Sequence, residues 1–190
     1  MTVPVLWDRK DSRIVNNESS EIIRIFNRAF DDLGATSLDL SPPDLIDEID
    51  QVNARVYEAV NNGVYKAGFA TTQQAYESAV FPLFDALDEL EARLNTSEWL
   101  VGDRMTEADI RLFTTLIRFD AVYSTHFKCN LRRIADYPAL SAFLQRMMDI
   151  PAIAGTVHFA PIKTHYYASH LDLNPSGIVP AGPIPAWGRR

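Results

Sequence analysis

The sequence predicts a mainly α-helical protein entered through a short β-hairpin, and three observations carry that expectation. Two short β-forming runs, Val3 to Leu6 and Ile14 to Val15, flank a charged turn from Asp8 to Arg13. Beyond them, apolar residues return every three or four positions for most of the chain, the period of a helix with one buried face. From Leu171 the period stops and Pro and Gly become frequent, as in a segment laid extended over a surface. These breaks divide the chain into a β-β-α unit over 1–37, an all-helical domain over 38–170 and an extended tail over 171–190.

Each element has its own signal. Pro4 sits between apolar β-formers and cannot donate to a ladder, which suits an edge strand or a strand start. A lone hairpin is marginally stable, so the rest of its sheet is expected from elsewhere. Ile22, Ile25, Phe26, Ala29, Phe30 and Leu33 predict a helix started by Asn16 or Asn17, stopped by Gly34 and burying one stripe. Leu38 to Pro43 reads as a linker and the domain boundary. Leu45, Ile49, Val52, Val56 and Val60 then share a face of a second helix ending at Asn61-Asn62-Gly63. Tyr76, Val80, Leu83, Leu87, Leu90 and Leu94 mark a third, with charged residues between them. Thr106, three residues before Asp109 and just ahead of Ile110, Phe113, Leu116 and Ile117, is a capping signal. Leu140, Phe143, Leu144 and Met147 give a further helix stopped by Pro151, and Phe159 to His170 a shorter one.

Composition narrows the class. A length of 190 residues fits one domain, or one with a small appendage. With 47 % hydrophobic and 23 % charged residues, and no apolar run near the roughly 18 residues of a membrane span, neither disorder nor a transmembrane helix is expected. A net charge of -7 argues against nucleic acid and anionic membranes, yet leaves room for an anionic small ligand held by a few groups. One cysteine cannot form an internal disulfide, and Met1-Thr2-Val3 lacks a basic leader region, which together favour a reducing, cytoplasmic setting.

Three places carry candidate chemistry. Glu18 and Ser19 stand at a helix start, where free N–H groups and the dipole favour a carboxylate; on the residues alone this reads as only a cap. Tyr65, between Gly63 and Gly68, sits in a stretch between two long helices that can present a phenol to a cleft. Tyr166 and Tyr167 lie on the late helix between His165 and His170. Cys129 has cations nearby in Lys128, Arg132 and Arg133, but its ordinary role is a small buried side chain. His165 and His170 are five apart, off the helical ligand spacing, and no carboxylate pattern accompanies the histidines, so no metal site is expected.

The Val-Pro strand, the hairpin and Glu18-Ser19 opening a helix resemble the second half of the thioredoxin-like domain of glutathione transferases. Val3-Pro-Val-Leu-Trp-Asp8, the run Asn61-Asn-Gly-Val-Tyr-Lys-Ala-Gly-Phe-Ala70 and Thr125-His-Phe-Lys-Cys-Asn130 narrow the resemblance to the glutathionyl-hydroquinone reductases, the Xi class, over nearly the whole chain. The implied fold is an all-helical glutathione transferase C-terminal domain behind an incomplete thioredoxin-like domain. The resemblance implies that Ser19 and adjoining backbone bind the α-carboxylate of glutathione, that Glu18 holds its α-ammonium, and that the Val3 backbone pairs with its cysteinyl amide. Tyr65 and Tyr166, with Tyr123 and Tyr167 beside them, would surround the aromatic substrate and supply a proton to the ring carbon as sulfur leaves. Thr106 and Asp109 would be a buried structural cap, and the protein a homodimer. The family's nucleophile lies in a Cys-Pro-Trp-Ala motif upstream of the Val-Pro strand. This sequence holds no such motif, so the expectation is a member truncated at its start, in the gene or in its reading.

Two functions follow. One is a reductase acting on glutathionyl-hydroquinones, with glutathione as co-substrate and its catalytic cysteine outside this chain. The other is a non-catalytic helical binding or dimerisation module that keeps the aromatic pocket. Either way, the open hairpin edge and the apolar face of the Ile22 to Leu33 helix are expected to lie exposed and to promote association.

Overall fold

A computed structural model describes residues 3–34, 38–183 and 187. The chain forms two compact units, Met1–Ile46 and Asp47–Arg190.

In the first unit, strands β1 (Leu6–Asp8) and β2 (Arg13–Asn16) pair antiparallel, Leu6 opposite Asn16, Trp7 opposite Ile14 and Asp8 opposite Arg13, with an irregularity between Leu6 and Trp7. The first strand therefore begins where the sequence placed its end, and Val3 and Pro4, joined by a cis peptide bond, precede it. The turn accounts for the shift. An Asp8 carboxylate oxygen accepts from the backbone N–H groups of Lys10 (2.8 Å) and Asp11 (3.1 Å), so reversal begins at Asp8 and the residues just before it pair.

Helix α1 (Ser19–Arg28) is capped by Glu18 rather than by Asn16 or Asn17: the Glu18 carboxylate accepts from Ser20 N at 3.2 Å. Asn16 is occupied otherwise, accepting from Glu18 N at 2.7 Å and donating to the Glu21 carboxylate. The helix stops before Gly34; Phe30 leaves helical conformation, and Gly34 (φ 82°) closes a short 3-10 turn over Asp31–Leu33. Of the expected buried stripe only Ile22 is buried, whereas Phe26 and Phe30 are exposed with their rings stacked at 5.8 Å. The expected boundary at 37/38 adjoins residues 35–37, which lie outside the described residues. The linker behind it is tied to α1: Asn27 donates to Asp39 (2.7 Å) and accepts from Leu40 N (2.8 Å), and Arg28 donates to Ser41 O (3.0 Å). Those bonds explain why the compact unit extends to Ile46.

The second unit is helical. Its segments are α2 (Ile46–Arg55), running on as a π-helical stretch over Val56–Asn61, α3 (Gly63–Gly68), α4 (Gln73–Leu94) and α5 (Glu107–Arg118). A second π-helical turn (Phe119–Tyr123) carries α5 into α6 (Ser124–His126), followed by α7 (Pro138–Met148), α8 (Pro151–Ala154) and α9 (Phe159–Ser169). Both expected stops hold, the α2 continuation ending at Asn61 and α7 at Met148, and the stop residues also open the next helices. Gly63 opens α3 with its backbone close to Leu83, and Pro151 opens α8, where its missing N–H costs nothing.

The core forms around α4, which packs on α3, on the first π-helical stretch and on α7. Its Val80, Leu83, Phe84, Leu87, Leu90 and Leu94 are buried, as the three-four spacing requires. Each such side chain contributes about 1.5–3 kcal/mol. Polar groups fix the connections. Glu91 accepts from Ala139 N (2.9 Å) and Leu140 N (2.8 Å), capping α7, and Asp120 accepts from Ile134 N (2.7 Å) and Ala135 N (3.1 Å). Asp109 accepts from Thr106 N (2.8 Å) and Leu100 N (2.9 Å) and, with Thr106, forms the buried cap that starts α5. The tail carries no helix or strand among its described residues. Lys163 of α9 donates to Ala181 O (2.9 Å) and Gly182 O (3.2 Å), and Trp187 is 3 % exposed.

Candidate functional site

Tyrosines from three elements meet in the second unit. Tyr65 comes from α3, Tyr123 from the end of the second π-helical turn and Tyr166 from α9. The Tyr166 hydroxyl lies 2.6 Å from that of Tyr65 and 2.8 Å from that of Tyr123, which makes a continuous chain of three O–H groups. Tyr123 and Tyr166 are buried, and Tyr65 is 40 % exposed. Three O–H donors with two bonds between them leave one proton to donate outward, whichever oxygen accepts internally. Burial, reinforced by the neighbouring phenols, raises the Tyr123 pKa steeply; burial also pushes Tyr166 up to about 12. Both stay protonated near neutrality. The cluster is thus a hydrogen-bond donor set suited to the oxygens of an aromatic ligand.

The position of Tyr65 is set by its flanking Gly68 and by Phe127, whose contact with that glycine no sequence pattern reveals. The stretch between the two long helices is itself helical, and a Cβ on Gly68 would lie 2.2 Å from Cγ of Phe127, so only glycine lets α3 press so closely on that ring. Phe127 in turn stacks on Tyr123 (5.4 Å, 16°) and meets Tyr65 (5.3 Å) and Tyr166 (5.9 Å) edge-on. A helix-compatible run closed by Gly68 was the available signal, but only three-dimensional closeness identifies its partner.

The other candidates are placed as follows. Tyr167 stands apart from the hydroxyl chain: its OH donates to Ala121 O at 3.4 Å and its ring lies 4.6 Å from His126. Glu18 and Ser19 occupy the start of α1, and Val3, 91 % exposed, precedes the cis bond to Pro4. Cys129 is fully buried, its sulfur 3.7 Å from Phe127 O and 3.9 Å from Val64 O, and burial pushes its thiol up to about 12. A thiol held in that state is a poor nucleophile. Among the described residues no group of three His, Cys, Asp or Glu side chains could hold a metal ion, and no helix is long and apolar enough to cross a membrane.

This helical unit carries the C-terminal domain fold of the glutathione transferases: residues 73–146 match the family described as glutathione S-transferase, C-terminal domain. The chain is a relative of the glutathionyl-hydroquinone reductases, the Xi class of that superfamily. It is 61 % identical to glutathionyl-hydroquinone reductase PcpF of Sphingobium chlorophenolicum over 96 % of its own length and 58 % of that protein's. With YqjG of Escherichia coli, also a glutathionyl-hydroquinone reductase, it shares 55 % identity over 96 % of this chain and 56 % of YqjG. The glutathione-bound structure of YqjG superposes with a TM-score of 0.94 at 55 % identity, covering 97 % of this chain and 60 % of the other. The glutathione transferase Xi structure from Phanerochaete chrysosporium gives 0.93 at 57 % identity, covering 97 % and 60 %. The chain therefore spans somewhat under two thirds of the length of these relatives.

Proposed function

We propose that this chain is the substrate-recognition portion of a cytoplasmic, homodimeric glutathione-dependent oxidoreductase that reduces glutathionyl-hydroquinones. The Tyr65–Tyr166–Tyr123 hydroxyl chain carries this reading, because a protonated donor set flanked by aromatic rings suits the oxygens of a hydroquinone. The helix start at Glu18 and Ser19, together with the Val3 backbone, is assigned to glutathione: the N–H groups and dipole favour its α-carboxylate, and Glu18 its α-ammonium.

In the full reaction a thiolate attacks the glutathione sulfur of the conjugate. The carbon–sulfur bond breaks, its electron pair passes to the ring carbon, and that carbon takes a proton, with Tyr65 or Tyr166 as the assigned donor. A mixed disulfide of enzyme and glutathione forms; a second glutathione thiolate displaces the enzyme sulfur and leaves as oxidised glutathione. The buried Cys129 is not assigned as that thiolate.

The test uses the 190-residue chain with a glutathionyl-hydroquinone conjugate in titration calorimetry. Tyr65→Phe and Tyr166→Phe should each weaken binding by about two- to tenfold, the worth of one hydrogen bond. With glutathione added, no hydroquinone should be released, and Cys129→Ser should change nothing. Failure to bind the conjugate sinks the recognition reading, and turnover lost on Cys129→Ser sinks the assignment of the thiol. Binding without turnover, even after the chain is extended upstream with a Cys-Pro-Trp-Ala segment, would favour a non-catalytic module.

A further inference from the structure

A second bridge runs beside the tyrosine chain. His126, at the end of α6, and His170, which caps the C-terminus of α9, approach through Nε2 and Nδ1 at 3.2 Å with near-parallel rings. His170 lies four residues beyond Tyr166, and its backbone N–H donates to Tyr166 O at 3.3 Å. Its ring also packs on Phe127 (5.9 Å, 12°), Phe69 (5.2 Å) and Tyr166 (5.6 Å). The last turn of α9 is therefore pinned twice to the end of the α5–α6 segment, once through the phenols and once through the imidazoles. We propose that His126 and His170 are a positioning pair that holds Tyr166 in the aromatic pocket and releases it when both rings are protonated.

The chemistry of the pair sets its pH behaviour. In the neutral pair one ring donates and the other accepts. One proton can be taken up on the outer nitrogen of the donor with the bond intact. A second places N–H against N–H and charge against charge. The groups that face the pair are His165, Tyr166 and Tyr167 from α9 and Lys128 from the segment after α6, while Phe69, just beyond the end of α3, presents an uncharged ring. Burial first, then His170 and Lys128, lowers the His126 pKa below its ordinary 6.5; burial first, then His165, lowers His170. With both folded values below the unfolded ones, the pair's contribution is present above about pH 6.5 and is lost as pH falls through the lower folded values.

The inference rests on the tyrosine cluster being the aromatic pocket, so the experiment has two arms. In the first, 1-naphthol, uncharged across the range, is titrated into the full chain between about pH 7.5 and pH 5, with circular dichroism confirming the fold at each pH. The wild-type affinity should fall about three- to tenfold across that range. His170→Asn, which keeps an amide near the Nδ1 position but cannot titrate, should hold its affinity constant within about twofold across the same range. A flat wild-type profile, or an Asn variant with the wild-type slope, overturns the proposal. In the second arm, without ligand, the ring resonances of Tyr166, assigned by their loss in Tyr166→Phe, should move with acid in the wild type and stay still in His170→Asn. If 1-naphthol binds at no pH, the pocket reading fails alone and the Tyr166 resonances decide the pair: movement that His170→Asn abolishes supports it, and equal movement in both proteins refutes it.

Discussion

A missing side chain organises the site. Gly68 ends α3 against the face of Phe127, and a methyl group there would overlap the ring at 2.2 Å, with further contacts at 2.4 and 2.8 Å. Two effects of Gly68→Ala oppose each other. Alanine favours the helix by about 1 kcal/mol, whereas overpacking a filled contact costs about 1–3 kcal/mol and moves the neighbour. Phe127 is fully buried and held by Tyr65, Tyr123, Phe69 and His170, so it has little room to yield and the steric effect wins. Gly68→Ala should lower the denaturation midpoint in urea and weaken binding of the conjugate, because Tyr65 shifts with Phe127. Unchanged stability would show that the ring moves freely.

At the level of elements, the fold was most legible where one periodic stripe had one burial partner. Val80 to Leu94 specify α4 by spacing alone, and the pair Thr106 and Asp109 specifies the start of α5. Ends were less legible because several polar groups compete for the same cap and some caps come from side chains distant in sequence. Asn16 is a strong starter in sequence but serves Glu18 and Glu21, leaving the cap of α1 to Glu18. Gly63 looks like a stop, and the π-helical stretch does end at Asn61, yet the same glycine opens α3 beside Leu83. Of the site, the three tyrosines were marked by family resemblance, whereas Gly68, Phe127 and His126–His170 work through partners that no local pattern reveals. Glu91 illustrates such a remote cap. Its two oxygens serve both N–H groups at the start of α7 from 48 and 49 residues away. Glu91→Ala strands both donors in a half-buried place and should cost about 1–2 kcal/mol. Glu91→Gln, which retains one acceptor, should recover about half of that in the same urea titration. Equal losses in the two variants would mean that packing, not capping, is what Glu91 contributes.

At the scale of the whole molecule, the first unit leaves apolar surface open. Ile23, Phe26, Phe30 and Leu33 of the α1 region are exposed, as are Trp7, Ile14 and Val15 of the hairpin. The hairpin is the only sheet among the described residues, so both its outer edges retain free ladder groups. Unpartnered β edges and large exposed apolar side chains both drive association. The 190-residue chain should therefore bind a hydrophobic dye and show a sedimentation coefficient that rises with concentration. The stacked Phe26 and Phe30 rings are the natural place to intervene, being 51 % and 44 % exposed with centroids 5.8 Å apart. Replacing both with Glu puts charge on that face without opening a core, because neither side chain is buried. The double variant should lose most of the dye binding while keeping its helical circular dichroism. If association survives it unchanged, the surface that assembles lies in the helical unit, as a glutathione transferase-like homodimer through that domain would require. If dye binding also survives, the exposed face of α1 is not what the dye reads.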